Sequence, residues 1–571
     1  VPQAHGARVG RAPLSASDVE ERKEGAGAGA SGQSHGIWPA VEAALAGVCL
    51  FVMGWLLYLH ARIVVHPFQG EYREGAMLNT TRALLAGRNP FTIENGPQDF
   101  NQYGILYHGV TAPLAFVFGP SLWVHRTTSG VFVLLALATL AWACRHRGCS
   151  WAASFGLTAL LYVSLFTHAA NFGLLARPDS LGLWLMLLSV VVPWHRGFSS
   201  KSLAVAASLA LLACLTKTYF VLGFLLVCAY VLLFVSLRRA VEAAVFFAVL
   251  GTLSVVALSM IFPIYSSAVF FSTLNFATGP GYAGGAYAGR QLALFAIWYA
   301  PAGAVGLGWA ARRVLDYSPS PALPAPSGFG GRWRGVRRDP FLFAFVGASA
   351  AIYVSLGRNR GSYMAYLVHL MLPFLLLYVA DPLARARPPA RRLYQLLILA
   401  NVLLLAARYG RAADLDASRA AWGRLTEIVD SSERLLNNAP LVSLLVERRR
   451  IVYDSGHSQF FRLGARRPGI LGQLLAEDTT ITNRDRDYRE ELARAVAAKA
   501  FDSIVVTVGG HRLVMETLIR NHYRETERLQ VTLPLASQSR ILVVYRPLPE
   551  AGAASIATEK GSGGAGDGIG R

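Results

Sequence analysis

Phe68-Gln-Gly-Glu-Tyr-Arg-Glu-Gly-Ala-Met-Leu-Asn-Thr-Thr-Arg-Ala-Leu-Leu-Ala-Gly-Arg-Asn-Pro90 follows the first long apolar run of the chain and leaves it within a few residues. Met77, Leu78, Leu84 and Leu85 recur at roughly helical spacing, Gly87 suits a C-terminal cap, and Pro90 stops continuation. Glu71 and Glu74 lie one helical turn apart, so a helix that includes both puts them on one face. His66, Arg73 and Arg82 are close by in sequence. Two carboxylates among cations at the mouth of a membrane protein are a place for acid–base chemistry. The plainer alternative is a solvated interfacial helix carrying ordinary surface charge.

The rest of the chain favours the first reading. Its 571 residues are 53% hydrophobic and 15% charged, whereas a soluble domain carries about 25% charged residues. The apolar residues fall in runs of about 15 to 25, the length that spans a bilayer. The formal net charge of +20 belongs largely to short loops between these runs. That is the positive-inside pattern of a polytopic membrane protein, and it argues against nucleic acid as a partner. Five cysteines, at 49, 144, 149, 214 and 228, lie in or beside apolar runs, so neither a disulfide framework nor a zinc spacing is implied. Residues 1–36 are rich in Gly, Ala and Ser and read as a disordered cytoplasmic tail.

Candidate spans are 40–62, 128–144, 150–167, 178–194, 202–216, 219–237, 240–263, 291–311, 340–356, 364–380 and 393–408. Arg145 and Arg147, His195 to Lys201, Arg238 and Arg239, the arginine-rich 312–338 loop, and Arg385 to Arg392 then fall in alternate loops. All of these are cytoplasmic if the residues after 408 are outside. The alternation closes at about eleven spans only if Gly104 to Val124 does not cross. With His108, Pro113, Gly119 and Pro120 and a clean apolar run of about 16 residues, that stretch is short for a span. A twelve-span arrangement, with this stretch crossing, is the competitor.

Polar segments collect on the outer side: the 63–127 loop, residues 168–179, Lys217-Thr218, residues 265–290 and Gly357 to Tyr363. A cation at membrane depth is costly unless paired or hydrated, so it marks a functional position by default. Lys217 is read either as an anion ligand or as a lysine that snorkels to the interface. Arg177 and Asp179 flank Pro178 at the entry to a span and can pair with each other. The glycine-rich stretch from Thr278 to Tyr287 suits a substrate lid as well as a simple loop.

From about residue 409 the composition becomes that of a soluble domain, with the outer domain extending over 409–548 and a disordered tail over 549–571. Ala412 to Val446 reads as largely helical, Arg450 to Asp454 as a short strand, Asp487 to Ala500 as a helix, and Ser503 to Val508 as a buried strand. A helix over 511–528 and a strand from Ile541 to Tyr545 follow. Strands alternating with helices predict a small α/β layer domain. Gly509-Gly510 after a strand is too weak a signal for nucleotide binding.

With these residues in place, the chain resembles the GT-C superfamily of membrane glycosyltransferases that use polyprenyl-phosphate sugars. It is most similar to the bacterial branch of protein O-mannosyltransferases and lipid A aminoarabinose transferases. Glu71-Tyr-Arg-Glu-Gly75 resembles the family's acidic motif, Gly87-Arg-Asn-Pro-Phe91 its turn, and Tyr103-Gly-Ile-Leu-Tyr107 its tyrosine segment. Arg177-Pro178-Asp179, Lys217 and the run from Gly357 through Tyr363 to Pro373 match further recurrent features. The likeness covers residues 40–410. Arg73-Glu74 stands where many relatives have an Asp-Glu pair, so either glutamate can hold the catalytic place. Ile105 replaces a usual proline.

The resemblance implies a polytopic α-helical fold with a transmembrane catalytic domain over 37–408 and a C-terminal α/β domain outside. It implies inverting transfer of a sugar from a polyprenyl-phosphate donor to a hydroxyl of a lipid, polysaccharide or protein acceptor. Glu74 or Glu71 supplies the base. Arg177, Lys217, Arg358 and Arg360 are the cations available for the phosphate, and Tyr103, Tyr107, Asp179, Tyr282 and Tyr363 line the sugar pocket. No cofactor is implied; Glu94, Asp99 and Asp179 are outer carboxylates open to a divalent metal, but without a ligand spacing that argues for one. A transporter or flippase for a lipid-linked sugar is the alternative function, disfavoured by the lack of an internal repeat and by the large outer domain.

Overall fold

The computed structural model describes residues 37–278, 284–315, 363–409, 418–438, 440–454, 457–508, 515–533 and 538–549. Arg358, Arg360, Tyr282, both terminal tails and the 340–356 span lie outside the described residues.

Among the described residues the first part of the chain carries only helices and loops: α1 (Trp38–Val65), α2 (Tyr72–Leu85), α3 (Leu106–Phe118), α4 (Leu122–His146), α5 (Trp151–Gly173), α6 (Asp179–His195), α7 (Ser200–Cys214), α8 (Leu222–Phe234), α9 (Leu237–Ile261), α10 (Ser272–Thr278), α11 (Gly284–Trp298), α12 (Ala300–Leu315), α13 (Tyr363–Leu370), α14 (Leu372–Arg385) and α15 (Pro388–Tyr409). Among the described residues, five helices (α1, α4, α5, α9 and α15) are long and apolar enough to cross a membrane alone. The bent pairs α11–α12 and α13–α14 bring the number to seven when each pair counts as one span. α5 is the hub, packed against α1, α4 and α15, with 83% of its apolar window buried. α9 is the opposite case: only Ala240 and Ala243 are buried, and Met260 and Ile261 at its end are 81% and 61% exposed. A water-facing helix would not carry such a surface, whereas hydrocarbon solvates it without cost.

α3 has 13 residues. Like α6, α7 and α8 it is an apolar helix shorter than the five long ones, and Phe116, Val117 and Phe118 are exposed at its end. It lies against α2 and α4.

The C-terminal part runs α16 (Arg419–Ser431), β1 (Leu435–Asn438), α17 (Val442–Glu447), β2 (Tyr453–Asp454), α18 (His457–Ala465), α19 (Gly469–Leu474), α20 (Thr479–Ala497), β3 (Ser503–Thr507), α21 (Glu516–His522), β4 (Tyr523–Leu533) and β5 (Gln538–Pro547). The five strands form one sheet in the order β2-β1-β3-β5-β4. β1 is parallel to β2 and β3, and β5 is antiparallel to β3 and β4. Alternation along β3 puts Val505 in one core with Trp422 and Leu425, and Ile504 and Val506 in the other with Tyr488 and Leu492.

Two expectations need refinement here. The described part of 412–446 is largely helical but holds one strand: Leu435–Asn438 is the second strand in the sheet order, fully buried, and its Leu-Leu-Asn-Asn has no alternation to reveal it. Of the predicted helix over 511–528, the described part is helical only over Glu516–His522; from Tyr523 on it is strand, because β4 pairs with β5 along a ladder that outweighs the helical propensity of its Glu and Arg residues.

The two parts share a core. Leu78 of α2, Leu122 and Ala176 pack in the same cluster as Trp422, Leu425 and Val442. Phe68 stacks on Trp422 with ring centroids 5.0 Å apart and 7° between planes.

Candidate functional site

Glu71 is the N-cap of α2, not part of it. Its backbone is extended (φ −156°, ψ 149°), and its Oε2 accepts a hydrogen bond from the Arg73 amide at 2.9 Å. This cap satisfies one of the four orphan amides that any helix start leaves. Because Glu71 precedes the helix, the condition for both carboxylates to share one helix face, a helix that includes both, is not met.

Glu74 points into the protein and is 0% exposed. Arg126 of α4 grips it with two parallel bonds, Nε to Oε1 and Nη2 to Oε2, both 2.8 Å. The amides of Gly70 and Ala176 donate to the same oxygens at 2.7 and 2.9 Å. The remaining Arg126 donors go to the carbonyls of Ile63, His66 and Phe68. Burial alone would raise the Glu74 pKa, but the Arg126 guanidinium and the two amides outweigh it and hold the carboxyl below its ordinary value. A carboxylate with four donors has no lone pair left for a substrate proton. Glu74 is a pin joining the end of α1, the start of α2, α4 and the segment before α6, and of the two glutamates read as possible bases it is the one whose oxygens are all taken.

Glu71 is different. Its side chain is 17% exposed, Arg177 Nη1 reaches Oε2 at 3.4 Å, and Arg73 Nε stands 4.0 Å from Oε1. Oε1 accepts no hydrogen bond from a described residue.

Around it gather three cations. Arg73 Nη1 and Arg177 Nη2 both donate to the Tyr103 hydroxyl, at 2.8 and 2.9 Å. The Lys217 ammonium lies over the Tyr103 ring, 4.3 Å from its centroid, so the ring face adds a cation–π attraction. Asp179 ties two of these cations together: its Oδ1 accepts from Lys217 Nζ and from the Tyr219 hydroxyl, each at 2.7 Å, and its Oδ2 accepts from Arg177 Nε at 3.2 Å. Asp179 is the anion that makes two buried cations tolerable. Among the described residues, three cations and two carboxylates meet here.

Tyr103 reaches this place because the backbone behind it is clamped. The amides of Gly104 and Leu106 donate to the carbonyls of Thr216 and Leu215 at 3.0 and 3.2 Å. A Cβ on Gly104 would fall on the Leu215 carbonyl, so only glycine permits the approach. The Tyr103 amide donates to Asn101 Oδ1 at 2.7 Å. Asn101 in turn donates to His108 Nε2 at 2.9 Å, and His108 Nδ1 meets Thr81 Oγ1 at 2.9 Å. Thr81 also meets His125 Nε2 at 3.0 Å, and His125 Nδ1 donates to the Ser121 carbonyl. The chain of bonds ties the loop under the cations to α2, α3 and α4.

Tyr107 does not line the site. It is fully buried, and its hydroxyl donates to the His125 carbonyl or meets Ser129, which supports the Arg177 backbone. Tyr363 opens α13, and its side chain lies outside the described residues. Arg126, Arg73, Tyr219 and Tyr72 are site residues that the sequence reading left without a role. Arg126 had one signal, an arginine inside the start of an apolar helix, but nothing marked its partner. No three or more His, Cys, Asp or Glu side chains gather in a metal-holding group among the described residues.

The C-terminal domain closes the back of the site. Tyr72 donates to Asp454 at the end of β2, and Gln69 Oε1 accepts from the Ser443 amide at 2.7 Å. The Gln69 amide nitrogen then donates to the carbonyls of Glu71 and Tyr72 at 3.2 and 3.1 Å. A Cβ on Gly75 would stand 2.5 Å from Val442 Cβ and 2.7 Å from Gln69 Oε1, so this glycine sets how closely α17 approaches α2.

No family model and no curated protein matches the sequence. Among solved structures, the chain is similar to ArnT from Cupriavidus metallidurans bound to undecaprenyl phosphate, at a TM-score of 0.53 and 14% identity over 89% of this chain and 98% of that one. The apo state of the same protein gives a TM-score of 0.48 at 14% identity, over 89% and 97%. At 89% of this chain and 98% of that one the likeness takes in both the helical part and the C-terminal domain, and the chain has the fold of that protein.

Proposed function

We propose that the protein is a membrane glycosyltransferase that takes a sugar from a polyprenyl-phosphate donor and passes it to an acceptor hydroxyl, with inversion, using Glu71 as general base. The observation that carries this is the pairing of one partly open carboxylate with three converging cations around Tyr103. The acceptor oxygen attacks the anomeric carbon while the bond from that carbon to the phosphate oxygen breaks. The electron pair of the broken bond goes to the phosphate, where Arg73, Arg177 and Lys217 meet the developing charge. The hydroxyl proton goes to Glu71, whose Oε1 is open to it. Arginine offers a fork for phosphate oxygens and lysine a point charge, so the set accommodates a phosphomonoester from more than one side. That a protein of the same fold carries undecaprenyl phosphate supports a lipid phosphate as the donor's leaving group. The alternating basic loops support a reaction on the side of the C-terminal domain, outside the cytoplasm.

The test is transfer of radiolabelled sugar from a polyprenyl-phosphate donor to an extracted lipid, polysaccharide or protein acceptor by the purified protein. Loss of label transfer in Glu71→Gln, with donor binding retained, is the expected result. No transfer to any acceptor class, with donor moved across proteoliposomes instead, would replace this reading with transport.

A further inference from the structure

Residues 466–477, Arg-Arg-Pro-Gly-Ile-Leu-Gly-Gln-Leu-Leu-Ala-Glu, form a closed loop that stands out from the C-terminal domain. The Asp478 amide donates to the Ala465 carbonyl at 3.0 Å and shuts its base. Inside it, α19 makes less than two helical turns, and no α19 side chain is buried. Ile470 and Leu474 are each 74% exposed, and Leu475 is 47% exposed. Three large aliphatic side chains held out on one short protrusion are not the surface of a domain that faces water alone.

The mounting of this loop says what covers it. Its base is fastened to the segment that follows the end of α9. Gly464 touches the backbone of Ala268 so closely that a Cβ on it would lie 2.5 Å from the Ala268 Cα. Asn275 of α10 donates to the carbonyls of Leu463 and Arg466 at 2.6 and 2.7 Å. The Arg467 guanidinium lies 3.9 Å from the Phe271 ring centroid and donates to Gly464 and Ala465. Phe461, Ala465 and Ile481, from both sides of the loop, share a core with Ile264, Tyr265 and Val269, against which Leu258 of α9 packs. The loop is thus built onto the end of the helix whose surface is the most exposed to hydrocarbon, beside exposed Met260, Ile261 and Phe270.

We propose that residues 466–475 are a membrane-docking loop, with Ile470, Leu474 and Leu475 immersed in the lipid interface at the end of α9 and Arg466 and Arg467 at the level of the lipid phosphates. Apolar side chains that enter the headgroup boundary, with arginines behind them to meet anionic lipid, are what an interfacial anchor requires. From Arg466 to Ala476 the loop has no acidic residue to oppose this. The docking holds the C-terminal domain to the bilayer at a second point, apart from its contact with α2. It does not depend on the sugar-transfer reading.

Spin labels test it on the full chain in nanodiscs of phosphatidylcholine and phosphatidylglycerol. A nitroxide at Leu474→Cys is compared with one at Glu516→Cys, an exposed position of the same domain. At 474, collisions with oxygen should exceed those with a polar nickel chelate, giving a positive depth parameter, while 516 gives a negative one. A second label at Ile470→Cys guards against a local defect and should agree with 474. Water-like collision rates at 470 and 474, or shielding from both reagents by protein, would overturn the proposal.

Discussion

The Tyr72 hydroxyl stands 2.9 Å from each carboxylate oxygen of Asp454, a residue 382 positions further along the chain. Tyr72 directly follows Glu71, so the C-terminal domain touches the start of α2 one residue from the carboxylate assigned to catalysis. Burial, and then the Asp454 charge, raise the Tyr72 pKa well above its ordinary value, so the hydroxyl keeps its proton and stays a donor.

Tyr72→Phe and Asp454→Asn should each lower turnover while leaving polyprenyl-phosphate binding unchanged. Hydrogen bonds to charged groups contribute about 1.5–3 kcal/mol, and partners in contact couple by about 0.5–3 kcal/mol. The double variant should therefore lose far less than the sum of the two. Strict additivity in a double-mutant cycle on kcat would show that the contact does not position Glu71.

Glu71→Gln keeps the cap, since an amide oxygen still accepts from the Arg73 amide, but it removes the proton acceptor. Positioned bases contribute about 10²- to 10⁴-fold, and single-turnover transfer should fall by that order with donor affinity retained. Retained turnover in this variant would move the base elsewhere.

Glu74→Gln acts on stability. Breaking a buried pair by removing one partner costs about 3–5 kcal/mol, because Arg126 is left charged and uncompensated. The sign with pH follows from the depressed carboxyl: its contribution is fully present above the ordinary value of 4.5 and is lost as pH falls through the lower folded value. Wild type should lose thermal stability below about pH 4.5, whereas the variant, weaker at pH 7, should lack that part of the slope. Parallel melting-temperature profiles between pH 3 and 7 would be inconsistent with the pin.

Lys217→Gln should weaken binding of the lipid phosphate by roughly tenfold or more, the worth of one charge-assisted contact. Asp179→Asn should do so less directly, by releasing Lys217 and Arg177 from their common anion. Equilibrium binding of a polyprenyl phosphate, measured without acceptor, separates this from any effect on the chemical step.

Gly75→Ala should cost about 1–3 kcal/mol, the usual range for overpacking. The added methyl meets Val442 and Gln69. Proteolysis between the membrane part and the C-terminal domain should become faster in this variant, and an unchanged cleavage rate would show that the contact is soft.

What the sequence made legible was the chemistry that lies close together along the chain. Apolar runs, caps and the glutamate motif follow from local spacing, and so the helical membrane fold was readable. Arg177, Lys217 and Tyr103 were placed on one side by the alternation of loops, and they do meet. The division of labour between Glu71 and Glu74 was not readable. It is decided by Arg126, 52 residues from Glu74, and by the amide of Ala176, 102 residues away. Spacing reports a face of a helix, but it does not report that one of two carboxylates is a cap with extended backbone. Strand β1 was hidden for a related reason: a strand buried on both faces shows no alternation.

The bond from the Ser443 amide to Gln69 spans 374 residues of chain. Synthesis runs from the N-terminus, so the start of α2 is made and delivered to the membrane well before its partners in α17 and β2 exist. A chain interrupted between residues 217 and 443 has Glu71 and all three cations but lacks the bond that orients Gln69 beneath the Glu71 and Tyr72 carbonyls. The start of α2 therefore takes its final hydrogen bonds only after the last domain has been made.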